Sequence, residues 1–306
     1  MKVTIAADVG SDVALIKQAL EYSGHEVDIR IVDKNFAYNI KGAIVFNAST
    51  SFPGRYGNSF IPAVLEGSGI PYTGPDALTS AICQDHASMR SLLRQGGIHL
   101  PRWAFIETLE NLEILRDLRF SFPIVYKSNY SRKGEKVVYY SSKSDFFSDV
   151  EEYTYEMFWP AIVDEYLPGM EIVVFCYGNR KDFNSLKPIQ IEYTGEILDD
   201  DARENCSFKL PKLLDSERSS IYNTAHKAHH IMGINGLSRI DFKLGTDHRP
   251  IVLEIDPNPE LDNRAIAAIK ASNLNTSDII NYILNIAIDK IHDDSEDSKQ
   301  HELFQT

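Results

Sequence analysis

The 306-residue sequence has few cysteines and no long apolar run. Its three cysteines, Cys83, Cys176 and Cys206, are odd in number, widely spaced and without a CxxC pair. This argues against a disulfide framework and a structural zinc site, and it favours a reducing, cytoplasmic location. No apolar segment is long enough to span a bilayer. The N-terminal segment MKVTIAADVGSD carries acids within its apolar stretch, which is not the pattern of a signal peptide.

Positive charge is also scarce. The chain carries 31 lysines and arginines against 44 acids, a net charge of -13, which argues against nucleic acid or a membrane surface as the main partner. A GxGxxG after the first predicted strand, a Walker lysine loop and a GxSxG elbow are all missing, so a dinucleotide oxidoreductase is disfavoured. Hydrophobic residues make up 43% and charged residues 25%, which is ordinary globular composition.

Hydrophobic periodicity predicts an α/β layer at the N-terminus, with a strand at residues 3–7, a helix at 13–23 and strands at 25–32 and 43–46. The loop at residues 47–58 follows the third strand, where open α/β sheets bind ligands. Later elements are predicted as follows: a helix at 60–68, a strand at 70–74, a helix at 78–95, strands at 122–127, 137–141, 161–166, 172–177 and 188–193, and helices at 216–232 and 277–291.

The length predicts two or three subdomains. We place an N-terminal α/β substrate subdomain at residues 1–97 and a central lid at 98–175. A C-terminal subdomain follows at 176–291, and a polar, frayed tail at 292–306.

The most informative segment is SRIDFKLGTDHRPIVLEIDPNP, residues 238–259, which predicts a hairpin. If its loop closes symmetrically, Asp241 lies opposite Glu254, and Asp256 shares their face because side chains alternate along a strand. Three carboxylates this close suit a hard cation such as magnesium, held jointly with phosphates. The same register places Phe242 opposite Leu253 and Leu244 opposite Ile251. The alternative is a solvated face whose acids pair with basic neighbours, Arg239 and Lys243.

Four segments resemble the D-alanine–D-alanine ligase branch of the ATP-grasp enzymes, and they occur in the order found in that family. The resemblance covers about residues 42–291. It implies α/β and α+β structure in a three-subdomain ATP-grasp architecture, with the N-terminal parallel α/β layer first and ATP between the last two subdomains. The segments are IPYTG with QDHASMRSLL at residues 70–74 and 84–93, FPIVYK at 122–127, VDEYLPGMEI at 163–172, and RIDF with LEIDPNP at 239–259.

The resemblance implies an ADP-forming ligase that joins a carboxylate to an amine through an acyl phosphate. Its cofactors would be ATP and one or two magnesium ions, for which manganese can substitute. Its partners would be small carboxylate and amine substrates of amino-acid type and, in a homodimer, a second copy of the chain. Two alternatives remain open: a D-alanine–D-alanine ligase proper, and an ATP-binding protein of the same fold without ligase activity.

The resemblance also implies roles for individual residues. Arg239 would be catalytic, because a fixed guanidinium matches the anionic oxygens that develop during phosphoryl transfer. Asp241, Glu254 and Asp256 would bind the metal, with Asp256 standing where the family usually has asparagine. The nucleotide would be bound by the following residues: Arg90 and Lys127 at the phosphates, Asp164, Tyr166 and Leu167 around the adenine, and Glu171 at the ribose.

The substrate segments depart from the family pattern more than the nucleotide segments do. The departures lie at residues 8–12, where only Asp8 or Asp12 could replace a family glutamate, and at 47–58 and 260–264. We therefore expect substrates other than two D-alanines. Arg264 is the candidate for binding a substrate carboxylate, because its planar fork suits that group. Arg203 and Lys209 are candidates for reaching the γ-phosphate, and Ser131 and Arg132 for covering the phosphates.

Overall fold

The computed structural model describes residues 1–33, 35–36, 40, 43–50, 52, 56–108, 121–130, 137–152, 159–179 and 182–303. The N-terminal layer is a parallel sheet, as predicted, in which β1 (Lys2–Ala7) lies between β2 (Glu26–Ile31) and β3 (Ile44–Asn47). Helix α1 (Ala14–Tyr22) packs its apolar face against this sheet, and α2 (Gly57–Gly67) follows β3. The carboxyl ends of β1 and β3 meet at one edge.

Residues 78–95 form two helices rather than the single predicted helix, α3 (Ala77–Gln84) and α4 (His86–Gln95). Asp85 separates them because its backbone is extended and its carboxylate accepts the Ser88 N–H at 3.0 Å, capping α4. The strand predicted at residues 70–74 is reduced to one bridge, between Tyr72 and Val45.

A four-stranded antiparallel sheet follows, in the order β4-β7-β5-β6. Its strands are β4 (Trp103–Ile106), β5 (Ile124–Ser128), β6 (Val137–Tyr140) and β7 (Ala161–Glu165). Helix α5 (Lys143–Glu152) places Phe146 in the core of this layer, against Tyr126 and Tyr140. Strand β4 was not predicted from the sequence.

A six-stranded antiparallel sheet has the order β11-β10-β8-β12-β13, with β9 paired to β8. The domain boundary predicted after residue 175 falls inside β8, so the division between the two antiparallel sheets lies at residues 166–169 instead. The strands are β8 (Met170–Gly178), β9 (Phe183–Ser185), β10 (Ile189–Glu192), β11 (Ser207–Lys209), β12 (Gly236–Leu244) and β13 (Pro250–Asp256).

Four helices accompany this sheet: α6 (Asp200–Glu204), α7 (Asp215–Met232), α8 (Asn263–Ala271) and α9 (Thr276–Leu303). Helix α7 packs with α4 over one face of the sheet, and α8 and α9 pack over the other face together with the parallel sheet. Helix α9 continues through Leu303, beyond residue 292, where the polar tail was predicted to begin.

The β12–β13 hairpin keeps the predicted register only at the end that is far from its turn. Arg239 pairs with Asp256 and Asp241 with Glu254, as predicted. Towards the turn the pairing shifts by one residue, so that Phe242 faces Val252 rather than Leu253. A bulge at Leu253 causes the shift; it lets Val252 enter the core and leaves the Leu253 carbonyl to accept a hydrogen bond from α4.

Candidate functional site

Three cavities adjoin along the cleft between these layers. The inter-sheet cavity, about 110 Å³, lies between the four-stranded and six-stranded sheets. The central cavity, about 340 Å³, lies over the hairpin face that carries Arg239. The outer cavity, about 490 Å³, lies at the carboxyl edge of the parallel sheet. The cavities share lining residues: Leu198, Arg203 and Glu254 join the first two, and Thr50, Glu260, Asp262 and Asn263 join the last two.

Arg239 stands at the centre of the hairpin's polar face and is 7% exposed. Its Nε lies 2.9 Å from Asp241 Oδ1, its Nη1 lies 3.2 Å from Asp256 Oδ2, and its Nη2 lies 3.8 Å from Glu254 Oε1. Burial raises the pKa of Asp241 and of Asp256. Burial opposes ionisation of Glu254 as well, but positive neighbours outweigh it and hold its pKa at about 2. One guanidinium against three carboxylates leaves surplus negative charge on this face.

The three carboxylates of this face have the ligand chemistry that magnesium prefers, since hard carboxylate oxygens with surplus negative charge suit that ion together with phosphates. Within the described ranges, however, no three His, Cys, Asp or Glu side chains are arranged to hold a metal ion. The acids surround the Arg239 guanidinium instead. Asp241 and Glu254 are cross-strand neighbours, as the metal hypothesis requires, and their assignment as ligands stays a prediction.

Arg90 lies behind the inter-sheet cavity rather than in its wall. It is wholly buried on α4, and its guanidinium bonds both carboxylate oxygens of Asp164, with Nη2 at 2.8 Å from Oδ2. Nη2 also donates to the Leu253 carbonyl at 3.3 Å. Asp164 and the Leu253 carbonyl are the partners of Arg90 in this structure, and its predicted contact with phosphate stays a prediction. Its partners sit on other elements, so the helix pattern did not reveal them.

Lys127, near the end of β5, lines the inter-sheet cavity, and its predicted contact with the phosphates stays a prediction. Its Nζ lies 3.5 Å from Asp164 Oδ2. Burial, and then the neighbouring Arg90, lower the pKa of Lys127. Burial opposes ionisation of Asp164, but Arg90 and Lys127 outweigh it and hold the Asp164 pKa below its ordinary value. Asp164 thus lines the cavity, but its carboxylate oxygens are already bound by Arg90 and Lys127. These two cations would compete with the adenine amino group for the contact predicted for Asp164.

Replacing Arg90 with methionine is expected to destabilise the fold by about 3 kcal/mol, because it leaves Asp164 as a buried charge without its main partner. Urea denaturation measures this change. Arg94→Met, on the exposed side of the same helix, is the control and should change the unfolding free energy by less than about 1 kcal/mol. Equal stability of Arg90→Met and wild type would show that the pair does not support the fold.

The other end of the inter-sheet cavity holds a polar cluster that was not predicted as such. Lys243 Nζ lies 3.0 Å from Glu171 Oε2 and 2.8 Å from the Tyr193 oxygen, and the Tyr193 hydroxyl donates to Glu171 at 3.0 Å. Glu171 therefore lines the cavity with the Lys243 ammonium beside it, and its predicted contact with the ribose stays a prediction. Lys243 shares the hairpin face of Arg239 and Asp241, so strand alternation could have predicted that its side chain lies in the site.

The cavity walls around this cluster are apolar and aromatic. Tyr166 and Leu167, which are predicted to contact the adenine, line the cavity together with Val125, Val137 and Leu253. The Tyr166 hydroxyl donates to Glu196 Oε2 at 2.7 Å, which holds its ring in place. A cavity with such walls suits a flat, apolar-faced ring.

The three predicted substrate cations have different surroundings. Arg203 lines both the central and the inter-sheet cavity, and within the described residues it forms no ion pair. Arg264 lines the central cavity, but its Nε and Nη2 lie 2.7 Å and 2.6 Å from Asp262 Oδ2. Lys209 pairs with Glu192 on the surface of β11 and lines none of the three cavities.

Two further residues of the central cavity were not predicted as site residues. Gln84, 8% exposed, accepts the Asn58 N–H at 3.2 Å through Oε1. Its buried Nε2 has no hydrogen-bond partner within the described residues. Burial, and then Lys127, lower the pKa of His86 to about 4, so this imidazole is neutral near pH 7. Both lie in the segment QDHASMRSLL, but the hydrophobic periodicity of this segment does not distinguish them as site residues from the other residues of the helices.

Comparison with known proteins bears on this site. The model of the D-ala D-ala ligase C-terminus family matches residues 92–285. The chain belongs to this family. It is an ATP-grasp ligase, an enzyme that uses ATP to join a carboxylate to an amine. The predicted family, enzyme class and fold are therefore confirmed.

Individual relatives and solved structures are similar to the ligase over most of its length. It is 29% identical over 268 residues to the D-alanine–D-alanine ligase of Pelagibacter ubique, covering 83% of each chain. Its fold matches that of the Bacillus anthracis D-alanine–D-alanine ligase complexed with ATP, with a TM-score of 0.78 and 20% identity. The match covers 96% of this chain and 99% of the Bacillus anthracis chain. It also matches the fold of the VanG D-Ala:D-Ser ligase of Enterococcus faecalis, with a TM-score of 0.77 and 15% identity. That match covers 94% of this chain and 99% of the Enterococcus faecalis chain. No helix in the described part of the ligase is long and apolar enough to cross a membrane.

Proposed function

We propose that the ligase activates a small carboxylate with ATP in the central cavity and then joins it to an amine other than D-alanine. The carboxylate oxygen attacks the γ-phosphorus, giving an acyl phosphate and ADP. The amine attacks the acyl carbon, loses a proton and expels phosphate, giving an amide. The observation that carries this proposal is the central cavity, which is lined by Arg239, Arg203, Glu254 and Asp256 and adjoins the inter-sheet cavity on one side and the outer cavity on the other.

ATP would occupy the inter-sheet cavity. Its apolar and aromatic walls suit the base, and Lys127 lies where the cavity approaches Glu254 and the central cavity. Asp241, Glu254 and Asp256 are the residues that would hold magnesium, which neutralises phosphate oxygens when it is bound. The polar cluster of Glu171, Tyr193 and Lys243 would meet the sugar hydroxyls.

Arg239 and Arg203 would act on the charge that develops during transfer. Arg239 is fixed by its three carboxylates, so its guanidinium needs little reorganisation when anionic oxygens form beside it. Arg203 reaches both the nucleotide and the substrate side of the junction and forms no ion pair among the described residues. It is therefore the better placed of the two candidates for the γ-phosphate, since Lys209 lies outside the cavities.

The carboxylate substrate would use the free amide hydrogens of Gln84. The orientation of this side chain is fixed, because its Oε1 accepts the Asn58 N–H and its NH₂ group must then face the other way. A buried donor without a partner costs about 1–3 kcal/mol. A substrate acceptor bound there would recover that cost.

Replacing Gln84 with leucine is expected to raise KM for the carboxylate about 10- to 100-fold, because one buried donor is lost. The ATP dissociation constant should stay within about twofold, since Gln84 does not line the inter-sheet cavity. Steady-state kinetics and calorimetry measure the two quantities. An unchanged carboxylate KM would exclude Gln84 from substrate binding.

D-Alanine as the sole added amino acid is expected to support only slow ADP formation. Residues 8–12 are tied to residues 47–50 here, since Asp8 accepts from Ser49 Oγ at 2.6 Å and from the Thr50 N–H at 2.7 Å. Glu260 also enters both larger cavities. A coupled ADP assay tests this expectation, and rapid turnover with D-alanine alone would favour a D-alanine–D-alanine ligase proper.

A further inference from the structure

Two neighbouring side chains on the wall of the central cavity, Asn58 and Gln84, carry buried polar atoms that lack partners. Asn58 lies in the first turn of α2, and Gln84 is the last residue of α3. Gln84 Oε1 accepts the Asn58 backbone N–H at 3.2 Å, which holds the two residues together. Among the described residues, neither Gln84 Nε2 nor Asn58 Oδ1 has a hydrogen-bond partner. We call these two side chains the amide pair.

The two atoms of the amide pair differ in hydrogen-bond chemistry. Gln84 Nε2 is a donor, and Asn58 Oδ1 is an acceptor. Most buried polar groups in proteins have a partner, and a group left without one is costly. Gln84 is only 8% exposed, so water does not readily take the place of a partner. A donor and an acceptor without partners on one cavity wall therefore point to a ligand that supplies both.

The chemistry of the amide pair selects among the groups that a ligand could place there. A carboxylate has only acceptors, so it would satisfy Gln84 but set its negative charge against Asn58 Oδ1. An ammonium group has only donors, so it would satisfy Asn58 but not Gln84. A primary carboxamide carries a carbonyl acceptor and N–H donors side by side. It therefore suits the amide pair better than either charged group does.

The other walls of the central cavity indicate where the rest of such a ligand would lie. Arg203 and Arg239 line the same cavity, whereas the amide pair carries no charge. A small molecule with a carboxylate at one end and a carboxamide at the other would turn its carboxylate towards the arginines. Its carboxamide would then meet the amide pair, and each end would have partners of suitable charge.

We propose that the acid activated by this ligase carries a primary carboxamide, which Gln84 and Asn58 bind together. The proposal rests on the proposed ligase function and names the class of its carboxylate substrate. Gln84 Nε2 would donate to the carboxamide oxygen, and Asn58 Oδ1 would accept one of the carboxamide N–H groups. The class includes amino acids such as asparagine and glutamine, and also acids without an amino group.

Hydroxylamine trapping tests the proposal whatever the natural amine is. The full-length ligase is given ATP, magnesium and hydroxylamine, which attacks the acyl carbon of an acyl phosphate, expels phosphate and gives a hydroxamate. The acids form sets in which the terminal group changes: succinamate with levulinate, succinate and 4-hydroxybutanoate, glutaramate with 5-oxohexanoate and glutarate, and both enantiomers of asparagine with aspartate and of glutamine with glutamate. D-Alanine serves as an acid without a terminal polar group.

The ketones levulinate and 5-oxohexanoate keep the carbonyl acceptor of the carboxamide and lose its N–H donors. We expect kcat/KM for the best carboxamide to exceed that of every other acid in the panel by at least about tenfold, because only the carboxamide satisfies both atoms. An equal or higher kcat/KM for any of the other acids would overturn the proposal and leave the ligase function standing. Absence of hydroxamate with every acid would overturn both.

Two variants test the two contacts separately. Asn58→Leu removes the acceptor but keeps the backbone N–H that Gln84 accepts. It should lower kcat/KM for the carboxamide at least about tenfold, and for the ketone less than about threefold, since the ketone has no N–H to donate. Gln84→Leu removes the donor that both acids use, so both values should fall and their ratio should stay within about threefold.

The ratio of carboxamide to ketone is the deciding quantity, because a general loss of activity or stability cancels from it. Asn281→Leu is the control, since it makes the same change on α9, outside the three cavities. It should leave the ratio unchanged. A ratio in Asn58→Leu equal to that of wild type would contradict the role given to the amide pair.

Discussion

Replacing Arg239 with alanine is expected to lower kcat by about 10³-fold, because a fixed guanidinium beside the transferring phosphoryl group is among the larger contributions to such reactions. In this structure the side chain is already held by Asp241, Asp256 and Glu254, so its position does not depend on substrate. Steady-state kinetics with the best substrate pair measures the loss, and ATP affinity is measured beside it.

Two further variants separate catalysis from folding in that experiment. Arg239→Lys keeps one charge but loses the fork, so its kcat should stay at least about tenfold below wild type while its stability approaches that of wild type. Arg218→Ala, at an exposed ion pair on α7, should leave kcat unchanged. If Arg239→Lys turned over at the wild-type rate, Arg239 would be a structural partner of the hairpin acids and not a catalytic group.

Replacing Lys127 with methionine is expected to raise the ATP dissociation constant about 100-fold, because a charge-assisted contact to phosphate is lost. Methionine keeps most of the apolar stem, so the loss reports the ammonium group. Titration calorimetry with ATP and magnesium measures the change. Lys212→Met removes an exposed lysine that lines none of the cavities and is the control.

Lys127 also contacts Asp164, so the unfolding free energy of its variant has to be measured as well. We expect ATP binding to be weakened far more than folding, because Arg90 still holds Asp164 through both oxygens. Equal ATP affinity in Lys127→Met and wild type would exclude the phosphate role.

Strand alternation was sufficient to predict which side chains share the polar face of the hairpin. It placed Asp241, Glu254 and Arg239 on one face of a hairpin, and the structure pairs them in that way. It did not reveal the bulge at Leu253, because the residue count of the hairpin is the same with or without it. The bulge depends on packing of Val252 in the core and on a hydrogen bond from Arg90, which lies far away in the chain.

Long-range partners explain the other differences between prediction and structure. Arg90 stands on a helix whose pattern marks its buried face, but only the fold shows that Asp164 on β7 meets it there. Arg264 has the chemistry to bind a substrate carboxylate, yet Asp262 two residues earlier holds it. Gln84 became a candidate only because the structure leaves its amide hydrogens buried without an acceptor among the described residues.

The acyl phosphate is the central claim of this account, and isotope transfer tests it most directly. The carboxylate substrate is labelled with ¹⁸O in both oxygens, and the phosphate released during amide formation is analysed by mass spectrometry. If the carboxylate attacks the γ-phosphorus, the oxygen that forms the new P–O bond stays with the phosphate when the amine expels it. We predict one ¹⁸O in each released phosphate. Phosphate without ¹⁸O, released in step with amide, would contradict the mechanism.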